Sequence, residues 1–228
     1  MQAGNVFYNG MTDVPHVMPI LSFSTVMLLP GGYVPVTITE PNFIRMVDDA
    51  MRGNRLIGLV LAKAPSESGG RAGANDNTGL WDVGCVGRIT NYSEVGNGQV
   101  LISLQGVCRF RLEKEITGDN PYRLFQIAPF LEDLVETARF NVIDRKAFVE
   151  VFHAYLEMHQ MQADWDVIAD VSDETLVNAL SVIVPFKPVE KQALLEAPDL
   201  KTRSETMIAI AERAIMDQNR INPGGALQ

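Results

Sequence analysis

Apolar and polar residues follow two different periods along this chain, and the change falls near residue 135. Before it, short runs alternate strictly or are apolar throughout, with glycine and proline between them. Beyond it, apolar residues recur at spacings of three and four, and glycines are few. A period of two belongs to a pleated strand and a period near 3.6 to one face of a helix. The pattern predicts an α+β chain with a β subdomain over residues 14–134 and a helical subdomain over residues 135–220. Residues 1–13, with Gly4, Asn5, Asn9 and Gly10 and little periodicity, are expected to be a flexible end, as are residues 221–228 with Asn222-Pro223-Gly224-Gly225.

In the first subdomain, Met18–Leu21 and Val34–Thr39 read as strands, the second setting Val34, Val36 and Ile38 against Pro35, Thr37 and Thr39. Glu40-Pro41 opens a helix, because proline at the first helical position gives up an amide that has no partner there anyway. Phe43, Val47, Ala50 and Met51 fall on one face of it, and Gly53 ends it. Leu56–Leu61 is a continuously apolar strand, and Val83–Thr90 is one with several glycines. The longest alternation runs from Gln99 to Leu112. Val100, Ile102, Leu104, Cys108, Phe110 and Leu112 share one parity, and Ser103, Gln105, Arg109 and Arg111 the other, which predicts a core face and a wet face. Gly106 interrupts the pattern without changing its parity, as a sharp bend in a coiled barrel strand would, so the strands predict a small, strongly bent barrel. Residues 64–78 are small and polar without periodicity and read as a long loop. They lack the Gly-Lys-Ser/Thr ending of a phosphate cradle.

In the second subdomain, Phe140, Ile143, Ala147, Phe148, Val151, Phe152, Tyr155 and Leu156 trace a stripe through a helix of roughly five turns. Ser172, Asp173 and Glu174 mark the next start, because a hydroxyl caps free amides and carboxylates favour the positive helix end. That helix covers Leu176 to about Val184 and stops at Pro185. Pro188 opens a short one through Glu196, and a last helix from about Thr202 to Gln218 turns Met207, Ile208, Ala211 and Ile215 inward.

At 228 residues, 46% hydrophobic and 21% charged, the chain can bury a core without disulfides or metal. Its net charge of −9 repels nucleic-acid phosphates and anionic membranes at long range. Arg109, Arg111, Lys114 and Arg123 are a local basic group that could meet RNA, although solvated strand faces account for them more simply. Cys85 and Cys108 lie in strand-like stretches and read as reduced, buried thiols. No secretory leader opens the chain, and the apolar run from Met18 to Val36 is broken by Pro19, Pro30, Gly31, Gly32 and Pro35. A cytoplasmic location without membrane insertion is expected.

The common catalytic and metal constellations are not met. His153 and His159, six apart, fall on different helix faces, whereas a zinc pair needs a spacing of three or four and a third ligand. His153 and Glu157 read as a surface polar pair. Asp164, Asp166 and Asp170 lack the glycine and terminal glutamate of a calcium loop and read as a helix-start charge cluster. Met158 and Met161, one turn apart, read as core filling. Neither Gly-x-Ser-x-Gly nor His-Glu-x-x-His occurs.

Several stretches, taken in order, carry a resemblance to a known family. They are Met18-Pro19-Ile20-Leu21-Ser22-Phe23, Val26-Met27-Leu28-Leu29-Pro30-Gly31, Pro35-Val36-Thr37-Ile38-Thr39-Glu40-Pro41, Gly58-Leu59-Val60, Val83-Gly84-Cys85-Val86-Gly87-Arg88-Ile89, Gly98, and Gly106-Val107-Cys108-Arg109-Phe110-Arg111. In order and approximate spacing they resemble the amino-terminal, substrate-binding region of the Lon ATP-dependent proteases, and Gly-x-x-Arg-Phe-Arg is the most specific of them. Leu29 and Thr39 stand where phenylalanine is common. Lys191-Gln192-Ala193-Leu194-Leu195-Glu196 resembles the helices that follow in short bacterial Lon-domain proteins.

The resemblance implies a bent, PUA-like β pseudo-barrel with one inserted helix, followed by an α-helical bundle. It also implies a non-catalytic module that recognises unfolded or extended polypeptide. Such a module would serve as an adaptor or regulator in protein quality control, alongside a full-length protease or chaperone. The nucleotide-binding and proteolytic domains of Lon are not seen, so no enzyme activity, cofactor or metal is expected and no catalytic residue is carried over. RNA binding by a PUA-like barrel is the alternative. Candidate polypeptide contacts are Phe23, Leu29, Tyr33, Phe43 and Trp81, large apolar residues beside predicted turns.

Overall fold

The computed structural model describes residues 1–63, 79–135 and 143–221. The expected 64–78 loop, Phe140, the side chain of Asp166 and the tail from residue 222 lie outside the described residues. The chain divides into two compact units, Met1–Thr137 and Ala138–Gln228.

The first unit contains β1 (Gln2–Ala3), β2 (Val6–Phe7), β3 (Val17–Phe23), β4 (Tyr33–Ile38), α1 (Pro41–Arg52), β5 (Leu56–Ala62), β6 (Leu80–Gly96), β7 (Gln99–Ile116) and β8 (Leu124–Pro129). The main sheet runs β4-β7-β6-β5-β3-β8, and β8 pairs back onto β7, so β3, β5, β6, β7 and β8 close a ring. Only the β3–β5 pair in this sheet is parallel. Closure works because the edge of β7 that faces away from β6 serves two partners in succession. Residues Val100–Gln105 pair with β4, and Phe110–Ile116 pair with β8. Between them the register against β6 slips, with Val86 opposite Cys108 but Gly87 opposite Gly106, so Val107 is an extra residue and the strand bends.

Gly106 sits at that bend for a steric reason. Its amide donates to the Gly32 carbonyl (2.9 Å), and its own carbonyl accepts from the Gly31 amide (3.0 Å). A Cβ at this position would lie 2.0 Å from the Leu29 carbonyl oxygen. The expected bend is present, and the close approach of the Leu29–Gly32 backbone demands the glycine.

β4 alternates as expected, with Val34, Val36 and Ile38 buried and Pro35 and Thr37 exposed, while β5 is buried along nearly its whole length. α1 begins at Pro41 and buries Met46, Val47 and Ala50, with Phe43 and Met51 half-buried at the margin. The barrel core gathers Met18, Ile20, Val60, Val86, Phe110, Leu112, Phe125 and Ile127. The wet face expected on β7 is not wet at its middle: Gln105 and Arg109 are buried along with Val107, Ser103 is half-buried, and of those four polar residues Arg111 alone is exposed. Other chain segments cover this face, which the alternation of one strand cannot reveal.

One such segment is the amino terminus, expected to be flexible and found instead as a hairpin. β1 and β2 pair through a two-residue turn at Gly4-Asn5, with Gly4 at φ +57°, the positive value that the first central position of a type II′ turn requires. Ala3, Tyr8 and Val14 are buried in the barrel core. Three apolar side chains are too few to mark a strand in the sequence but enough to anchor it once the sheet supplies a surface.

Cys85 and Cys108 are free and buried, as expected. Burial pushes the Cys108 thiol up to about 12 and the Cys85 thiol well above its ordinary range. Since only a thiolate attacks a disulfide reagent, native protein at pH 8 should show no rapid reaction with Ellman's reagent, and denatured protein should titrate both thiols. Rapid reaction of either in the native state would contradict this burial.

The second unit contains α2 (Arg145–Met158), α3 (Trp165–Asp170), α4 (Asp173–Ile183), α5 (Pro188–Glu196) and α6 (Leu200–Ile221). The Asp144 carboxylate caps α2 by accepting from the Ala147 amide (3.1 Å), so the helix starts after Ile143 and is shorter than the apolar stripe suggested. Ser172 caps α4 as expected, accepting from the Thr175 amide (3.2 Å). α2 buries Phe148, Phe152, Tyr155 and Leu156 against Val177, Val184, Phe186, Leu194, Met207 and Ala211. Phe148 and Phe152 stack with ring centroids 4.6 Å apart. Arg203 is buried where its guanidinium donates to the Leu194 carbonyl (3.0 Å) and to Asn178 Oδ1 (2.9 Å), binding α6 to α5 and α4.

Candidate functional site

The five contact candidates on the barrel do not form one surface. Phe23 pairs in register with Leu61, and Leu80 with Ala62, so Phe23 and Trp81 lie at the same end of the barrel, both half-buried. Lys63 Nζ stands 5.6 Å over the Trp81 ring, and the indole N–H is buried without a hydrogen-bond partner. Phe43 lies half-buried in the first turn of α1. Tyr33 opposes Gln105 at the middle of β7 and is 61% exposed. Leu29 is corrected: at 0% exposure it packs in the core, because the Leu29–Gly32 segment is clamped to Gly106 by the two backbone hydrogen bonds, and it offers nothing to a partner.

The basic group is also corrected. Arg109 is 3% and Asp133 8% exposed, and the guanidinium donates to both carboxylate oxygens, Nε to Oδ2 and Nη2 to Oδ1, each at 2.8 Å. The Arg109 amide adds a third bond to Oδ2 (2.9 Å), and Phe130 lies over the guanidinium at 5.3 Å. Arg123 meets Glu115 in a fork of 2.6 and 2.8 Å, which holds the Glu115 carboxyl below its usual range. Two of the four cations therefore already hold carboxylates. The first arginine of Gly-x-x-Arg-Phe-Arg, Arg109, is an internal strut that fixes the segment after β8 to β7.

An apolar groove lies in the helical unit. Arg145, Lys146, Val149, Glu150 and His153 on successive turns of α2 face Trp165, Ile168 and Ala169 of α3 across a groove of about 750 Å³. His153 stacks on Trp165 with centroids 5.1 Å apart. Beyond that stack lies a second depression of about 310 Å³, lined by Leu156, Glu157, Met161, Gln162 and Ala163. Arg145 holds α3 in place, donating to the Asp173 carboxylate and to the Ile168 carbonyl (2.7 Å). Met158 and Met161 are half-buried against the core, in keeping with a filling role. His159 leans on Tyr155 at 4.5 Å, so each histidine of α2 and its cap is used as an aromatic plate. Among the described residues no three His, Cys, Asp or Glu side chains are grouped to hold a metal ion, and no helix is long and apolar enough to cross a membrane.

Sequence reasoning missed this groove. Trp165 lies between Asp164 and Asp166 on a six-residue helix, and a tryptophan amid acidic residues on so short an element was the available signal. A floor of aliphatic and aromatic side chains with a rim of both charges suits apolar or aromatic side chains of a partner.

Comparison with known proteins gives the context. Residues 17–213 match the family model described as the ATP-dependent protease La (LON) substrate-binding domain. Lon protease 2 of Myxococcus xanthus is 28% identical over 214 residues, covering 88% of this chain but 24% of the relative. Lon protease of Parabacteroides distasonis is 28% identical over 219 residues, covering 91% of this chain and 25% of the relative. The chain thus spans about a quarter of the length of these curated relatives. Among solved structures, the amino-terminal domain of a Mycobacterium avium complex Lon protease superposes with a TM-score of 0.59 at 16% identity, covering 86% of this chain and 98% of that one. A Lon amino-terminal domain protein from Xanthomonas campestris gives 0.55 at 19% identity, over 85% and 97%. With a family match running from β3 into α6 and a fold shared with these amino-terminal domains, this chain belongs to the Lon substrate-binding domain family.

Proposed function

We propose that this chain is a recognition module for unfolded or extended polypeptide, with no reactive centre of its own. The observation that carries this reading is the groove along α2, a concave apolar surface walled by the His153–Trp165 stack, in a member of a substrate-binding family. Unfolded chains expose the aliphatic and aromatic side chains that folded ones hide, so a groove of this chemistry discriminates by folding state. An adaptor or regulator in cytoplasmic protein quality control, delivering chains to a protease or chaperone, is the setting that fits such a surface. RNA binding has little support, since Arg109 and Arg123 hold carboxylates and the net charge is −9.

Fluorescence anisotropy with dye-labelled casein tests the reading. Trp165→Ala should raise the Kd about tenfold, the loss typical of one anchoring aromatic, while circular dichroism stays that of the folded protein. Equal affinity in the two folded proteins would take the groove out of the binding surface.

A further inference from the structure

The hairpin of β1 and β2 lies outside the stretch that matches the family, and its contacts with the barrel have the form of a bound polypeptide. Gln105, buried at the middle of β7, accepts from the Gly4 amide through Oε1 (2.6 Å) and donates through Nε2 to the Gln2 carbonyl (3.3 Å). In an extended strand the carbonyl of one residue and the amide two residues on point to the same side, the pair that a neighbouring strand would engage. The Gln105 amide therefore reads main chain and no side chain, and any extended segment offers the same two groups.

Tyr33 opposes Gln105 in register, so its exposed ring stands on the same face of the sheet. Arg88 of β6 reaches the hairpin segment through two long bonds, to the Tyr8 hydroxyl (3.3 Å) and to Asn5 Oδ1 (3.4 Å), and the Met1 ammonium donates to the Leu134 carbonyl (2.8 Å). Two strands of two residues are far too short to hold together by themselves.

We infer that this face of β7 is a second polypeptide-binding surface, which reads extended main chain through Gln105 with Tyr33 alongside, and that the hairpin occupies it as an intramolecular competitor. An incoming extended segment takes the place of Gln2–Gly4. The inference rests on the polypeptide recognition proposed above and adds where an extended chain is held and what gates it.

Gly4→Pro tests it. Proline fixes φ at about −65° and has no amide, so the substitution breaks both the turn and the bond to Gln105 while leaving Ala3 and Tyr8 unchanged. Hydrogen exchange at residues 1–8 reads release of the hairpin, and anisotropy with dye-labelled casein reads binding. The expected result is lost protection with affinity about tenfold higher, as for a competitor that keeps the competent form near a tenth of the population. A peptide of residues 1–9 added in trans should return the affinity to the wild-type value. Lost protection with unchanged or lower affinity overturns the inference. So does retained protection, because a hairpin that survives loss of its turn and its bond is not a displaceable cover. Casein binding by neither protein overturns the recognition reading as well. Binding weakened by Trp165→Ala but equal in wild type and Gly4→Pro overturns the hairpin's role alone.

Discussion

Asp133→Ala is expected to destabilise the barrel unit by about 3–5 kcal/mol, the cost of removing one partner from a buried ion pair. The Asp133 carboxylate accepts two bonds from the Arg109 guanidinium and one from the Arg109 amide, and both side chains are almost fully shielded from water. Without it, Arg109 cannot escape by losing its proton. In the native protein burial pulls the guanidinium towards the neutral form, but the Asp133 carboxylate outweighs it and holds the charged form more firmly than usual. Even without that carboxylate an arginine titrates so high that it stays charged at any ordinary pH. The variant keeps a buried cation that has lost its carboxylate, together with an amide that has lost its acceptor. Urea unfolding should show a lower midpoint with an unchanged slope. The double replacement Arg109→Met, Asp133→Leu should recover most of the loss, since an apolar pair of similar size carries no such charge. A midpoint unmoved by Asp133→Ala would mean that the pair is not buried as described.

Gly106→Ala is expected to cost at least about 3 kcal/mol, the upper part of the range for overpacking. The added methyl would lie 2.0 Å from the Leu29 carbonyl oxygen, 2.7 Å from its carbon and 3.2 Å from the Pro30 Cα, all backbone atoms that cannot swing aside. Moving the Leu29–Gly32 segment away would break both backbone hydrogen bonds that hold it to Gly106 and would expose Leu29. Gly98→Ala is the control. It has a positive φ but open space around it, so it should cost about 1 kcal/mol from backbone strain alone. Comparable melting temperatures for the two variants would show that the close approach is not what demands glycine at the bend.

Much of the architecture was legible because local patterns and tertiary packing agree. The β4 alternation, Pro41 at the start of α1 and the Ser172 cap each state their element in a few residues. The failures have a common physical origin in partners distant in sequence. Arg109 looked wet because strand parity sorts side chains by face, and nothing near it in the sequence announces that Asp133 will cover it. The end of β6, Asn91–Gly96, has only Tyr92 and Val95 as apolar residues, without alternation, and is a strand because β7 pairs with it. The amino-terminal hairpin was passed over for want of periodicity, although Gly4-Asn5 is itself a hairpin turn signal. The candidate site was the least legible part. A large apolar residue beside a turn describes both Tyr33, which reaches solvent, and Leu29, which is tucked beneath Gly106, and no local pattern separates them.

The double duty of β7 also bears on how the chain reaches this shape. The ring is completed by joining Val17 to Gln126, a contact between the first and last barrel strands, whereas Phe110 and Pro129 meet within the sequence-adjacent β7–β8 pair. Loop-closure entropy must be met before so distant a pairing gives anything back, so closing the ring is a slow event compared with forming the β6–β7 and β7–β8 hairpins. Until β8 has been synthesised and docks, the far half of β7 presents an open row of main-chain donors and acceptors to any passing strand. During synthesis that edge is where this unit is most open to unintended strand pairing.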